Sequence, residues 1–165
     1  MGASEDLERI GLQERELRLP AVDMKLGWEL GVLLRTLAAD RRLGIVIDVR
    51  RFGHPLFYAA LEGTTPDNAE WARRKANVVA RFYRSSYGVG LHLKSKSYTL
   101  LERYGLAVAD YAADGGSFPL AVAGTGVVGS VTVSGLPQRA DHELVVEALC
   151  GLLERDYAKL KLGAD

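Results

Sequence analysis

Chemistry in this chain would have to come from three histidines, a cationic pair and a glycine-bearing turn. His142 stands between Asp141 and Glu143 near the start of a helix-forming stretch. A positive helix end lowers a histidine pKa and neighbouring carboxylates raise it. The expected balance lies near neutrality, where an imidazole can pass a proton. His54, beside Pro55 at a strand start, is the second candidate for such a catalytic role, whereas His92 between Leu91 and Leu93 reads as structural. Arg74 and Lys75, in a basic stretch with Arg73, Arg81 and Arg84, could hold an anionic ligand or a neighbouring subunit. Gly115, Gly116 and Ser117 offer backbone amides and a hydroxyl, with Phe118 as an apolar wall beside them. A carboxylate on a flat apolar body would suit such a place.

Other chemistries are set aside by residue type and spacing. Gly124, Gly126 and Gly129 spell GxGxxG, but a dinucleotide site needs a helix directly after the glycines. Val127, Val128, Val131, Thr132 and Val133 follow instead, and β-branched residues favour a strand. The run around Gly124-Thr125-Gly126 therefore reads as a β-hairpin. No metal-binding motif occurs, so no metal is expected. Neither Ser117 nor Ser134 lies in a G-x-S-x-G elbow. Cys150, the single cysteine, sits among Leu149, Leu152 and Leu153 and reads as an inert buried thiol in a reducing cytoplasm.

With 21 basic and 21 acidic side chains the net charge names no polyanionic partner, and nucleic-acid binding is not expected. No window approaches the roughly 20 apolar residues of a membrane span, and MGASEDLERIG lacks the basic-then-apolar order of a secretory signal. A cytoplasmic, membrane-free protein is expected.

The elements that must position these residues follow from caps and periodicity. Residues 1–22 form an N-terminal arm and 23–165 a single domain. Asp23 can cap a helix over 24–40, in which Gly27 and Gly31 leave a smooth strip for close approach. Ile45–Val49 and Pro55–Leu61 read as strands joined by a turn. Thr65-Pro66-Asp67 starts a helix that runs to about Tyr83. Leu91-His92-Leu93 has strand-like alternation, and Tyr98–Tyr104 could form a short helix. A final helix begins near Pro137–Ala140. Strands joined by short turns require an antiparallel sheet within an α/β (α+β) fold.

In combination these segments resemble a known family. Gly53-His54-Pro55-Leu56-Phe57, Gly63-Thr64-Thr65-Pro66-Asp67-Asn68 with Trp71, Arg74 and Lys75, Gly115-Gly116-Ser117-Phe118-Pro119 and Val133-Ser134-Gly135-Leu136-Pro137 with Asp141-His142 carry the likeness. They resemble the haem-degrading-domain proteins of the GlcG-like and HbpS-like kind, over about residues 45–150. The resemblance implies a profilin-like, three-layer α/β/α fold with a five-stranded antiparallel sheet, and homo-oligomers. Gly27, Gly31 and an expected exposed pair, Phe57 and Tyr58, fit such assembly. It also implies that His142, Gly115, Gly116, Ser117 and Arg74 or Lys75 converge. The expected function is binding of a small ligand, haem or another anionic molecule, with degradation of it as a further step. The alternative is a non-catalytic interaction or quality-control module acting through its oligomeric surface.

Overall fold

A computed structural model describes residues 2–164. The starts of α2 and α3 are written in the sequence. In α2 (Met24–Asp40) the Asp23 carboxylate accepts from the Leu26 N–H at 2.8 Å. In α3 (Pro66–Phe82) Pro66 opens the helix and Asn68 Oδ1 accepts from the Thr65 N–H at 2.8 Å. The remaining elements, numbered in chain order, are α1 (Ala3–Glu16), β1 (Val46–Arg51), β2 (His54–Ala60), α4 (Ser86–Ser95), α5 (Leu100–Tyr104), β3 (Ser117–Val122), β4 (Gly126–Ser134), α6 (Gln138–Leu152) and α7 (Tyr157–Leu160).

The strands form one antiparallel sheet in the order β2-β1-β4-β3. Four strands stand where five were expected. At the edge beyond β3 the chain makes only a single parallel bridge at Leu19, whose N–H reaches the Ala121 carbonyl at 2.8 Å. The Leu19 carbonyl also accepts the Ala123 N–H at 2.9 Å, so both of its backbone groups are used toward β3, and the pairing goes no further. The β3–β4 hairpin is present, with the Thr125 N–H donating to the Val122 carbonyl and positive φ at Gly124 and Gly126. Gly129 lies within β4, where a Cβ would run into the Arg50 carbonyl of β1. The three glycines thus serve a turn and a tight strand contact, not a phosphate.

Alternation divides the sheet into two unlike faces. Ile47, Val49, Phe118, Leu120, Val131 and Val133 face α2 and α6 and belong to the main core. Asp48, Arg50, Ser117, Ser130, Thr132 and Ser134 occupy the alternate positions, on the side where α3 packs. The Gly27/Gly31 strip is used inside the fold. A Cβ at Gly27 would lie 2.7 Å from Leu56, and one at Gly31 would fall within the Phe57 ring. Phe57 is consequently buried, correcting its expected exposure, while Tyr58 is exposed. The expected strand around Leu91–Leu93 is instead α4: Val89 and Leu93, four apart, enter a core with Val78, Leu100 and Leu106.

Candidate ligand-binding cleft

The predicted site residues are distributed over three separate environments. His54 opens β2, exposed, and pairs in register with Arg51, at the Gly129 end of the sheet. His92 is exposed on α4. His142 is fully buried between Tyr87 and Phe118. Its Nε2 lies 2.8 Å from Gln13 Oε1, and Gln13 Nε2 donates to the Leu160 carbonyl at 2.9 Å. That orientation of the Gln13 amide makes His142 Nε2 the protonated nitrogen and leaves Nδ1 as a buried lone pair without a partner. Burial, reinforced by the Arg139 charge, pushes the imidazole down to about 3. The near-neutral balance expected from Asp141 and Glu143 is therefore corrected. Asp141 turns to Lys75, and Glu143 accepts from the Tyr157 hydroxyl and the Leu162 N–H.

Ser117 and Phe118 are neighbours on β3 and so point to opposite faces of the sheet. Phe118 packs on His142, whereas Ser117 Oγ is 2.8 Å from Thr132 Oγ1 and its N–H donates to Ser86 Oγ. The Gly115 N–H is given to Gln138 Oε1. A Cβ at Gly116 would strike the Val133 carbonyl and press within 2.9 Å of Lys75 Nζ. The GGSF segment is thus a packing junction, and the Gly115 and Ser117 amides and the Ser117 hydroxyl are engaged by the protein itself. Cys150 is likewise inert, its thiol pushed up to about 11 by burial.

Arg74 and Lys75, adjacent in sequence, diverge. Lys75 is buried and ion-paired with Asp141 at 2.9 Å. Arg74 instead stacks its guanidinium on the Trp71 ring, 4.3 Å from the centroid. Its Nε is buried without a hydrogen-bond partner. The ring lies beneath the charge and leaves it uncompensated by any carboxylate within 4.0 Å among the described residues.

This guanidinium lines an open cleft of about 700 Å³ between α3, α4, α5 and the 106–114 loop. Leu93, Leu100, Leu106 and Val108 give it apolar walls, while Lys94, Tyr98 and Tyr111 add a second cation and two phenols. Apolar walls with few polar groups are the usual make-up of a small-molecule site. Sequence reasoning found Arg74 but missed the cleft, because α4 and α5 carry no strong periodic signal. Trp71, three residues before Arg74 on α3, was the available clue: positions i and i+3 share a helix face.

Among the described residues no group of three or more His, Cys, Asp or Glu could hold a metal ion, and no helix is long and apolar enough to cross a membrane.

Comparison with known proteins places this geometry in a family. UPF0303 proteins of Paraburkholderia phymatum and Burkholderia cenocepacia are 58% and 57% identical over 162 residues, 98% of each chain. Among solved structures, Ybr137w matches with a TM-score of 0.82 at 26% identity, covering 90% of this chain and 88% of that one. A PduOC–haem complex has the same fold at TM-score 0.68, with 14% identity over 79% of this chain and 94% of that one. The family model for "Haem degrading protein HbpS-like" matches residues 22–150, and the chain belongs to that HbpS-like family.

Proposed function

We propose that the protein binds a flat, anionic small molecule of the haem class in the Trp71–Arg74 cleft. The observation that carries this reading is the Arg74 guanidinium, placed over the Trp71 ring with no carboxylate partner among the described residues, on the wall of a cleft large enough for such a ligand. The family's name for haem degradation and the haem complex of a protein of the same fold support the ligand class. The cleft residues fit haem: Arg74 and Lys94 would receive the carboxylates and the leucines the macrocycle. The Tyr98 or Tyr111 phenol would offer an oxygen donor to the iron. When bound, haem would bring its own redox chemistry. The chain's residues would bind and orient it and exclude water from one face. None of His54, His142 or the GGSF segment is given a catalytic role.

Titration with haemin, followed through the Soret band, tests this. A saturable, stoichiometric change is expected. Arg74→Gln should weaken it roughly tenfold or more, the loss of one charge-assisted carboxylate contact. No saturable change in the unaltered protein sinks the haem reading.

Self-association is the second reading. Met24, Trp28 and Val32, spaced four apart on α2, form an exposed apolar stripe, the kind of surface that marks a protein contact. Light scattering on a sizing column should give a mass above 18.0 kDa that falls in Trp28→Lys. A concentration-independent monomer removes this reading.

A further inference from the structure

A second, smaller recess lies on the other side of Trp71. It holds about 250 Å³, and its walls include Asn68, Trp71, Lys75, Asp114, Gln138 and Asp141. Its charged floor is the buried pair of Lys75 and Asp141.

Hydrogen-bond accounting fixes what these walls present. Asn68 Oδ1 is taken by the Thr65 N–H at 2.8 Å, which leaves the Nδ2 amide as the free end. Gln138 Oε1 is taken by the Gly115 N–H at 3.0 Å, which leaves Nε2. Lys75 Nζ donates to Asp141 Oδ2 and, at 3.4 Å, to the Val133 carbonyl, so one of its three protons remains. Asp141 has little left to accept with, since Oδ1 receives the Leu136 N–H and Oδ2 receives both Lys75 and the Gly135 N–H. Three donors from two helices therefore line one small space, and no protein group uses them.

Asp114 is the counterweight. It is half-buried, lines both this recess and the larger cleft, and has no ion-pair partner among the described residues. Because Lys75 is already matched by Asp141, Asp114 leaves the recess with an uncompensated negative charge. A bare carboxylate would meet donors but also repulsion. A ligand carrying a cationic group beside its carboxylate satisfies both.

We propose that this recess binds a small zwitterion of the α-amino-acid type. Its carboxylate is received by Asn68 Nδ2, Gln138 Nε2 and the remaining Lys75 proton, its ammonium by Asp114, and its short apolar side chain lies on Trp71. The site is independent of the haem reading, with which it shares only the Trp71 and Asp114 walls.

Calorimetric titration with L-alanine, propionate and ethylamine tests it. L-alanine should saturate, while propionate and ethylamine, each lacking one charge, bind roughly tenfold more weakly or less. Asn68→Asp and Gln138→Glu keep the oxygen that accepts from Thr65 or Gly115 and replace the free donor by an acceptor. Each should weaken L-alanine roughly tenfold or more. Asp114→Asn should weaken L-alanine but not propionate. Where one substitution lowers the melting temperature, the other carries the test. The proposal is overturned if L-alanine does not saturate, if propionate binds as tightly, or if the folded variants bind L-alanine like the parent. Haemin titrations of Asn68→Asp and Gln138→Glu should be unchanged, so failure here is distinguishable from failure of the haem reading.

Discussion

Lys75 Nζ and Asp141 Oδ2 meet at 2.9 Å across 66 residues of sequence, both side chains almost wholly buried. The pair ties α3 to the 135–136 turn that launches α6, because the same carboxylate accepts from the Gly135 and Leu136 N–H groups. Burial pushes the Asp141 carboxyl above the usual range, and Lys75 together with the turn amides opposes that rise.

Removing one partner should therefore cost more than removing both. Lys75→Met leaves a buried carboxylate facing an apolar chain, and about 3–5 kcal/mol of stability should be lost in urea unfolding. Lys75→Met combined with Asp141→Leu should recover part of it, although the two turn amides then lose their acceptor. If Lys75→Met alone unfolds at the parent's midpoint, the pair does not tie these elements together.

His142 makes the fold acid-sensitive. An unfolded imidazole takes up a proton near 6.5, the folded one only near 3, so the unfolded state binds more protons in between. The contribution is complete above about pH 6.5 and is lost as pH falls toward 3, with a slope approaching about 1.4 kcal/mol per unit. Asp141 acts in the opposite sense, since a raised folded pKa favours the folded state as acid protonates it. His142→Gln leaves Asp141 in place, so unfolding midpoints of the two proteins between about pH 5.5 and 7.5, taken as a difference, isolate the histidine. The parent's midpoint should fall on acidification, and His142→Gln should flatten the fall. An equally steep fall in His142→Gln refutes the assignment.

The sequence told most about elements whose signals are local. Asp23, Thr65-Pro66 and the β-branched run after Gly126 each dictate structure within a few residues, and α2, α3 and the β3–β4 hairpin followed from them. The alternation at Leu91–Leu93 misled because a three-residue pattern is too short to separate periods of 2 and 3.6. The Ser85 hydroxyl, accepting from the Gly88 N–H at 3.1 Å, was the better guide to α4. At the site, proximity in sequence proved a poor proxy for proximity in space. Arg74 and Lys75 are neighbours that serve different cavities, and His142 is held by Gln13 from a segment read only as an arm.

Gly31 measures how closely α2 sits on β2. An alanine methyl there would overlap the Phe57 ring, so Gly31→Ala should destabilise by about 1–3 kcal/mol despite the better helix propensity of alanine. Phe57→Leu in the same chain should make the added methyl less costly, giving a favourable coupling in a double-mutant cycle. Additive effects would mean that the helix and strand are not in the contact described.

The β3–β4 turn offers a test in which two glycines of one motif behave differently. Gly124 has φ +78°, close to the left-handed region that asparagine tolerates, and nothing lies within 4 Å of its Cβ position. Gly126 has φ +110°, beyond the region that residues with a Cβ adopt readily, although the space around it is also open. Sterics with neighbours therefore cannot distinguish the two; only backbone conformation can. Gly124→Asn should leave the urea midpoint nearly unchanged, while Gly126→Val should cost about 1–3 kcal/mol through backbone strain. Neither substitution should alter haemin binding, because the hairpin takes no part in the Trp71–Arg74 cleft. Equal tolerance at the two positions would show that Gly126 does not hold the positive φ on which this turn depends.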